Sequence, residues 1–168
     1  EAFARSKIQQ FIQSLLEEEV TELLGRARSQ RRAAVDAPAG YRNGQVYLRG
    51  STHVPLNCDA VRDAMPVFFE LLSEETEPAV RVVLGHFIFV YIHPYMDGNG
   101  RMGRFLMNVM FAAGGYPWTV LPVEERNEYM AALEAASVEQ NIEQFAAFLA
   151  RLVQARLDGR PAPRVPAE

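Results

Sequence analysis

The chain of 168 residues has one lysine, Lys7, and one cysteine, Cys58. A single thiol excludes an internal disulfide framework and fits a reducing, cytoplasmic compartment; packing is its plain role. With no Gly-Lys-Ser/Thr, a Walker phosphate loop is excluded. No apolar run is long and clean enough to cross a bilayer, and no signal peptide is read, so no membrane partner is expected. A net charge of −4 gives no general drive toward nucleic acid. Hydrophobic content of 49% and charged content of 23% are those of an ordinary soluble domain with a sizeable core. Internal repeats and low-complexity tracts are absent.

What is present is concentrated in residues 93–104, His-Pro-Tyr-Met-Asp-Gly-Asn-Gly-Arg-Met-Gly-Arg. The segment before it, Val82 to Ile92, is apolar enough for a helix buried nearly all round, and Pro78 suits its first turn with Thr76 or Glu77 as cap. Pro94 disfavours helical geometry at His93, so the helix is expected to end near Ile92. A second helix is expected from about Asn99, carried by Met102, Phe105, Leu106, Val109 and Met110 and stopped at Gly114 and Gly115. Its free first-turn amides and dipole favour an anion, and Arg101 and Arg104 share a face there. Asp97 beside them suits magnesium completed by phosphates and waters. His93, with a pKa ordinarily near neutrality, is the natural general base. The plain alternatives are a surface histidine, an ordinary Asp-Gly-Asn-Gly turn and a solvated arginine face. An EF-hand loop fails, because Met102 and Asn108 stand where its glycine and glutamate belong.

Elsewhere, an apolar stripe over residues 3–24 (Ile8, Phe11, Ile12, Leu15, Leu16, Val20, Leu23, Leu24) reads as a helix, followed by a basic connector, Arg26 to Arg32. Residues 41–55 read as extended, with a strand at Val46-Tyr47-Leu48 and turns at Gly44 and Gly50. Residues 59–72 read as a helix that Pro66 should bend or break. Two further helices are expected over 123–136 and 139–157, with Ser137 capping the second. The tail from Gly159 holds three prolines and reads as loose.

The twelve-residue run resembles the signature of Fic-domain proteins, His-x-Phe-x-Asp/Glu-Gly-Asn-Gly-Arg-x-x-Arg, with Tyr95 in place of Phe. Val46 to Pro55 resembles the Fic flap, an apolar strand ending in Gly-Ser-x-His-x-Pro. Asn108, Gly115-Tyr116-Pro117 and Asn127 to Leu133 resemble the family's segments C-terminal to the motif. The resemblance covers roughly residues 41–152. It implies an all-α, Fic-type helical bundle with a short β-hairpin flap, divided as an N-terminal helix and connector (1–44), a Fic domain (45–157) and a tail (158–168).

The implied activity is transfer of AMP from ATP to a Ser, Thr or Tyr hydroxyl of a target protein. By this resemblance His93 is catalytic and Asp97 holds Mg2+. Gly98, Asn99, Gly100, Arg101 and Arg104 bind the phosphates. Val46, Tyr47, Leu48, Arg49, Gly50 and Ser51 bind the target as an added strand. Tyr116 and Tyr129 are adenosine contacts or core. Tyr95 leaves activity intact, its hydroxyl needing a partner. The family is commonly restrained by Ser/Thr-x-x-x-Glu-Gly/Asn pairing with the second arginine, here Arg104. Ser14 to Glu18 and Ser73 to Glu77 have the spacing but are followed by Glu19 and Pro78. The brake is thus degenerate, outside this chain, or supplied by an inhibitory partner or antitoxin.

Residues 15–44 also resemble the N-terminal region of mutator-type transposases, which points to a gene fusion or a coincidence. Residues 1–44 hold seven basic and six acidic side chains, so a solvated connector competes with phosphate contact by Arg26, Arg28, Arg31 and Arg32. The first helix could equally pack on the domain or pair with a second copy in a homo-oligomer. Two other functions stay open: phosphate or phosphocholine transfer in the same fold, and a non-enzymatic DNA-binding or interaction module.

Overall fold

The protein is described here by a computed structural model, which covers residues 40–161. The expected N-terminal helix, the basic connector, the Ser14–Glu18 spacing and most of the tail lie outside the described residues.

The apolar segment organises everything else. It forms α2, Pro78–Ile92, and follows α1, Cys58–Glu74. After the motif loop come α3, Asn99–Ala113, a short 3-10 turn at Val123–Glu125, α4, Arg126–Val138, and α5, Glu143–Leu157. α2 touches all four of the other helices, most extensively α3. Its buried positions are Val82, Gly85, His86, Phe89 and Ile92. Val80 and Leu84 are exposed, so burial is not complete around the first turns. Packing of α2 on α3 is tight at Gly103, where an added Cβ would lie 2.8 Å from Val90 Cγ1. The core joins Val61, Met65 and Phe68 of α1 to Phe89, Met107 and Phe111, and to Phe145, Phe148 and Leu149 of α5. Burial of these side chains stabilises the fold by about 2 kcal/mol each before entropic costs.

Helix ends are set by local chemistry. Asn57 Oδ1 accepts from Ala60 N–H at 2.8 Å and caps α1. Glu77 stands at the cap position of α2 without a side-chain bond of its own; Glu75 Oε1 accepts from its backbone N–H at 2.7 Å. Two expectations are corrected. Pro66 does not break α1, which runs through it. Val61, Met65 and Phe68 anchor the buried face on both sides, and Pro66 itself is exposed. Ser137 does not cap the last helix, because it lies inside α4. α4 ends where Gln140 turns left-handed (φ 57°), and Asn141 Oδ1 accepts from Glu143 N–H at 3.0 Å.

The fold is all-helical, as expected, yet the flap is not a paired hairpin. Among the described residues no strand forms. Val46-Tyr47-Leu48 forms neither helix nor strand, and Ser51 N–H donates to Leu48 O at 3.2 Å to close a turn. Side chains then take the donors a ladder would need. Glu134 accepts from Thr52 N–H at 2.8 Å, and Ser51 Oγ accepts from His53 N–H at 3.0 Å. Gln45 Nε2 donates across the base of the loop to Pro55 O at 3.0 Å.

Residues 41–44, grouped by sequence with the N-terminal segment, are tied into this body. Arg42 is a fully buried side chain, and its backbone N–H donates to Pro94 O at 2.8 Å.

Candidate active site

The motif begins where α2 runs out. Pro94 leaves His93 in left-handed geometry (φ 55°, ψ 61°), an uncommon conformation for a residue other than glycine. Arg42 holds that bend. Its Nε donates to His93 O at 2.8 Å, its Nη1 to Gly44 O at 3.0 Å, and its Nη2 to Leu56 O. One buried guanidinium thereby joins three segments, using the rigid fork that arginine provides.

The His93 ring is half-buried, and its Nδ1 lies 3.3 Å from Val90 O. A carbonyl can only accept, so Nδ1 carries the proton and Nε2 of the neutral ring is left as a base. Burial pushes the imidazole pKa below its ordinary value; Arg42 and His53 lower it further, while the Val90 contact and Asp97 oppose them.

The next turn is built by Asn99, which is buried. Its Oδ1 accepts from Tyr95 N–H at 2.8 Å and its Nδ2 donates to Tyr95 O at 2.7 Å. The Tyr95 ring fills core space beside Tyr41 and Phe89, and burial raises its hydroxyl pKa to about 12. Gly98 then adopts φ 85°, where a side chain would be strained, and turns the chain into α3. Met102 N–H makes the first bond of that helix, to Gly98 O at 2.9 Å. The amides of Asn99, Gly100 and Arg101 precede it and have no partner among the described residues, an arrangement that favours an anion.

Asp97 is exposed. Its Oδ1 accepts from Gly98 N–H at 2.7 Å, and its Oδ2 lies 3.8 Å from Arg101 Nη2. Arg101 is exposed and Arg104 half-buried. Both side chains fold back over the glycines: a Cβ on Gly98 would meet Arg101 Nη2 at 3.7 Å, and one on Gly100 would meet Arg104 Nη1 at 3.4 Å. Asp97, the glycine turn and both arginines therefore lie together at the start of α3, and Asp97 is near enough to act on the charge of His93.

The tyrosines are placed differently. Tyr129 is buried on α4, its ring against Phe145 and Phe148 and its hydroxyl 2.8 Å from His86 Nε2. Tyr116 follows α3 and packs edge-on against Phe111. It lies about 20 Å along the helix from the glycine turn, given 1.5 Å per residue. Neither placement supports an adenosine contact. The Ser73–Glu77 spacing is equally remote from Arg104, because Pro78 packs at Gly114, the far end of α3.

Three contributors escaped the sequence. Arg42 has partners up to 51 residues away. His86 is hidden in an apolar run; its Nδ1 donates to Gly103 O at 2.7 Å, so its Nε2 accepts from the Tyr129 hydroxyl. Burial lowers the His86 pKa to about 4 and keeps it neutral, and raises that of Tyr129 to about 12. Arg104 lies against the Tyr129 hydroxyl and opposes that rise. The third is Glu134, which grips the flap.

This arrangement can be compared with known proteins. A profile of the Fic/DOC family matches residues 4–111. The chain belongs to the Fic/DOC family. It is 36% identical over 122 residues to the protein adenylyltransferase Fic of Drosophila yakuba, covering 70% of this chain and 24% of that protein. The corresponding protein of Drosophila willistoni is 35% identical over the same length. This Fic chain thus spans about a quarter of the curated relatives it matches. Among solved structures, Fic-1 from C. elegans superposes with a TM-score of 0.69 at 26% identity, covering 93% of this chain and 48% of that one. A Fic family protein from Desulfovibrio desulfuricans G20 gives 0.64 at 26% identity, covering 87% and 50%.

Proposed function

We propose that this Fic domain transfers AMP from ATP to a hydroxyl side chain of a target protein. The observation that carries this is the His93 ring: its Nδ1 faces Val90 O, and its Nε2 has no partner among the described residues, in the loop that leads into α3. In the step, Nε2 takes the proton of a Ser, Thr or Tyr hydroxyl. The hydroxyl oxygen forms a bond to the α-phosphorus, the bond from that phosphorus to the β-bridging oxygen breaks, and pyrophosphate leaves. Arg101, Arg104 and the amides of Asn99, Gly100 and Arg101 hold the phosphates, so fixed geometry and charge supply most of the rate. Asn99 acts through the turn it holds, since its side chain is bonded to Tyr95.

Among the described residues no three ligating side chains converge. Asp97 alone fits magnesium of the kind completed by phosphates and water, with one exposed carboxylate beside the anion site. When bound, that ion supplies charge neutralisation on the phosphates. Among the described residues Arg104 has no acidic partner and lies against the Tyr129 hydroxyl, which supports a role in holding ATP. A brake on it would come from an inhibitory partner or antitoxin, a second copy, or residues outside those described. Exposed Tyr47, between half-buried Val46 and Leu48 with no ladder partner among the described residues, supports pairing with an extended target segment. No described helix is long and apolar enough to cross a membrane, and the single thiol supports a cytoplasmic setting.

The test uses ATP labelled at the α- or the γ-phosphate, with magnesium, candidate targets and a His93→Ala control. Label reaching protein from the α-position, and lost in the control, is expected. Label from the γ-position alone would assign phosphorylation instead. No transfer from either, together with salt-sensitive DNA binding, would assign an interaction module.

A further inference from the structure

The flap and α4 are joined by one carboxylate. Glu134 Oε1 accepts from Thr52 N–H at 2.8 Å and from Thr52 Oγ1 at 2.7 Å, while Oε2 accepts from Ser51 Oγ. The donors lie 82 and 83 residues away in the chain. These bonds hold the Glu134 carboxyl below the usual carboxylate range, Ser51 contributing most. Ser51 Oγ also accepts from His53 N–H. His53 Nε2 then donates to Tyr91 O at 3.0 Å, and its ring lies 4.2 Å from that of Tyr91, two residues before the catalytic His93.

The returning limb of the flap is therefore pinned twice, to α4 and to the end of α2. Among the described residues the outgoing limb is tied only to the returning one, by Gln45 Nε2 donating to Pro55 O and by Ser51 N–H donating to Leu48 O. Val46, Tyr47 and Leu48 have no ladder partner among the described residues, and Tyr47 is 78% exposed. A strand edge can capture an extended peptide only if it is already held in place, because ordering it on binding costs about 1–2 kcal/mol per residue. Among the described residues Glu134 is the one ionised group bonded to Ser51 and Thr52, and hydrogen bonds to a charge are the stronger kind.

We propose that Glu134 is a positioning residue: by clamping Ser51 and Thr52 it fixes the turn from which the outgoing flap limb extends and so governs capture of the target segment, without contributing to nucleotide binding. This rests on the reading of the flap as the target-binding strand. A merely structural glutamate would affect overall stability; a clamp changes target capture and flap order selectively.

The experiment compares Glu134→Ala and Glu134→Gln with the wild-type chain in three measurements. Amide hydrogen exchange at Ser51, Thr52 and His53, whose N–H groups are bonded, should quicken roughly tenfold or more in Glu134→Ala as the charge-assisted bonds are lost, while α2 and α3 amides stay protected. The KM for the target should rise roughly tenfold, and the affinity for ATP should stay within about twofold. Thr52→Val removes one donor and should add little to Glu134→Ala, since the two act through one contact. Unchanged flap exchange, a loss of ATP affinity as large as the loss of target affinity, or strict additivity with Thr52→Val would each overturn the clamp. Quickened flap exchange without any α-phosphate transfer by the wild-type chain would leave the clamp's mechanical part standing and overturn the reading of the flap as target-binding, and with it the claim on target capture.

Discussion

Arg42 Nε donates to the main-chain oxygen of His93 at 2.8 Å, so a buried side chain far back in the chain holds the backbone of the proposed base in its left-handed bend. That bond also puts a positive charge beside the imidazole and helps keep it neutral. Replacing Arg42 with Met would leave the carbonyls of His93, Gly44 and Leu56 without their donor. We expect a loss of about 2–4 kcal/mol in stability by chemical denaturation. The folded fraction should also show a lower kcat, because the bend carrying the base is no longer held. Wild-type stability in Arg42→Met would remove Arg42 from this account.

The state of His93 sets a pH prediction. A general base must be neutral, so rate is present above its pKa and falls as pH drops through it. Burial lowers that pKa, and the acidic limb of the kcat/KM profile should therefore lie below the ordinary histidine value of about 6.5. Arg42→Lys, if folded, keeps the charge but not the fork, and tests geometry apart from electrostatics. His93→Ala should lower transfer by about 10²- to 10⁴-fold with ATP binding retained. An acidic limb well above the ordinary value would contradict burial as the dominant effect.

The buried chain from Gly103 O through His86 and the Tyr129 hydroxyl to Arg104 gives a third prediction. Tyr129→Phe keeps the ring against Phe145 and Phe148 but leaves His86 Nε2 unpaired and Arg104 unrestrained. Stability should fall by about 1–3 kcal/mol, and the KM for ATP should rise several-fold. If Tyr129 touched adenosine through its ring alone, Tyr129→Phe would leave ATP binding unchanged, and isothermal titration with a non-hydrolysable ATP analogue separates the two cases.

Gly103 tests the packing of the motif helix. An alanine Cβ there would sit 2.8 Å from Val90 Cγ1 and 3.2 Å from His86 Cε1. Overpacking of this kind costs about 1–3 kcal/mol, against a gain of about 1 kcal/mol from helix propensity. A small net loss in Tm is expected, together with weaker ATP binding as His86 shifts. A rise in Tm with ATP binding unchanged would show that α2 and α3 have slack at this point.

Much of the site was legible because it is local. His93, Pro94, Asp97, Gly98, Asn99, Gly100, Arg101 and Arg104 lie within one turn and one helix start, so covalent geometry alone brings them together. Proline ends α2, a glycine with positive φ opens α3, and the three-residue spacing puts both guanidinium groups on one face. The helices were legible for a similar reason: apolar periodicity reports the face that must be buried. Pro66 and Ser137 misled because local preference is worth only about 1–3 kcal/mol and the packed face of each helix outweighed it.

The amino-acid sequence by itself determined the chemistry available: one base, one carboxylate and two arginines on a helix that opens toward an anion. Tertiary structure decided which groups hold those parts in place. Arg42, His86 and Glu134 gain their roles from partners 51, 43 and 83 residues away. No spacing rule reaches that far, because such contacts exist only after burial of the core has brought separate segments together. The same burial lowers the pKa of His93 and of His86, and Glu134 reaches the flap only because the fold brings α4 beside it.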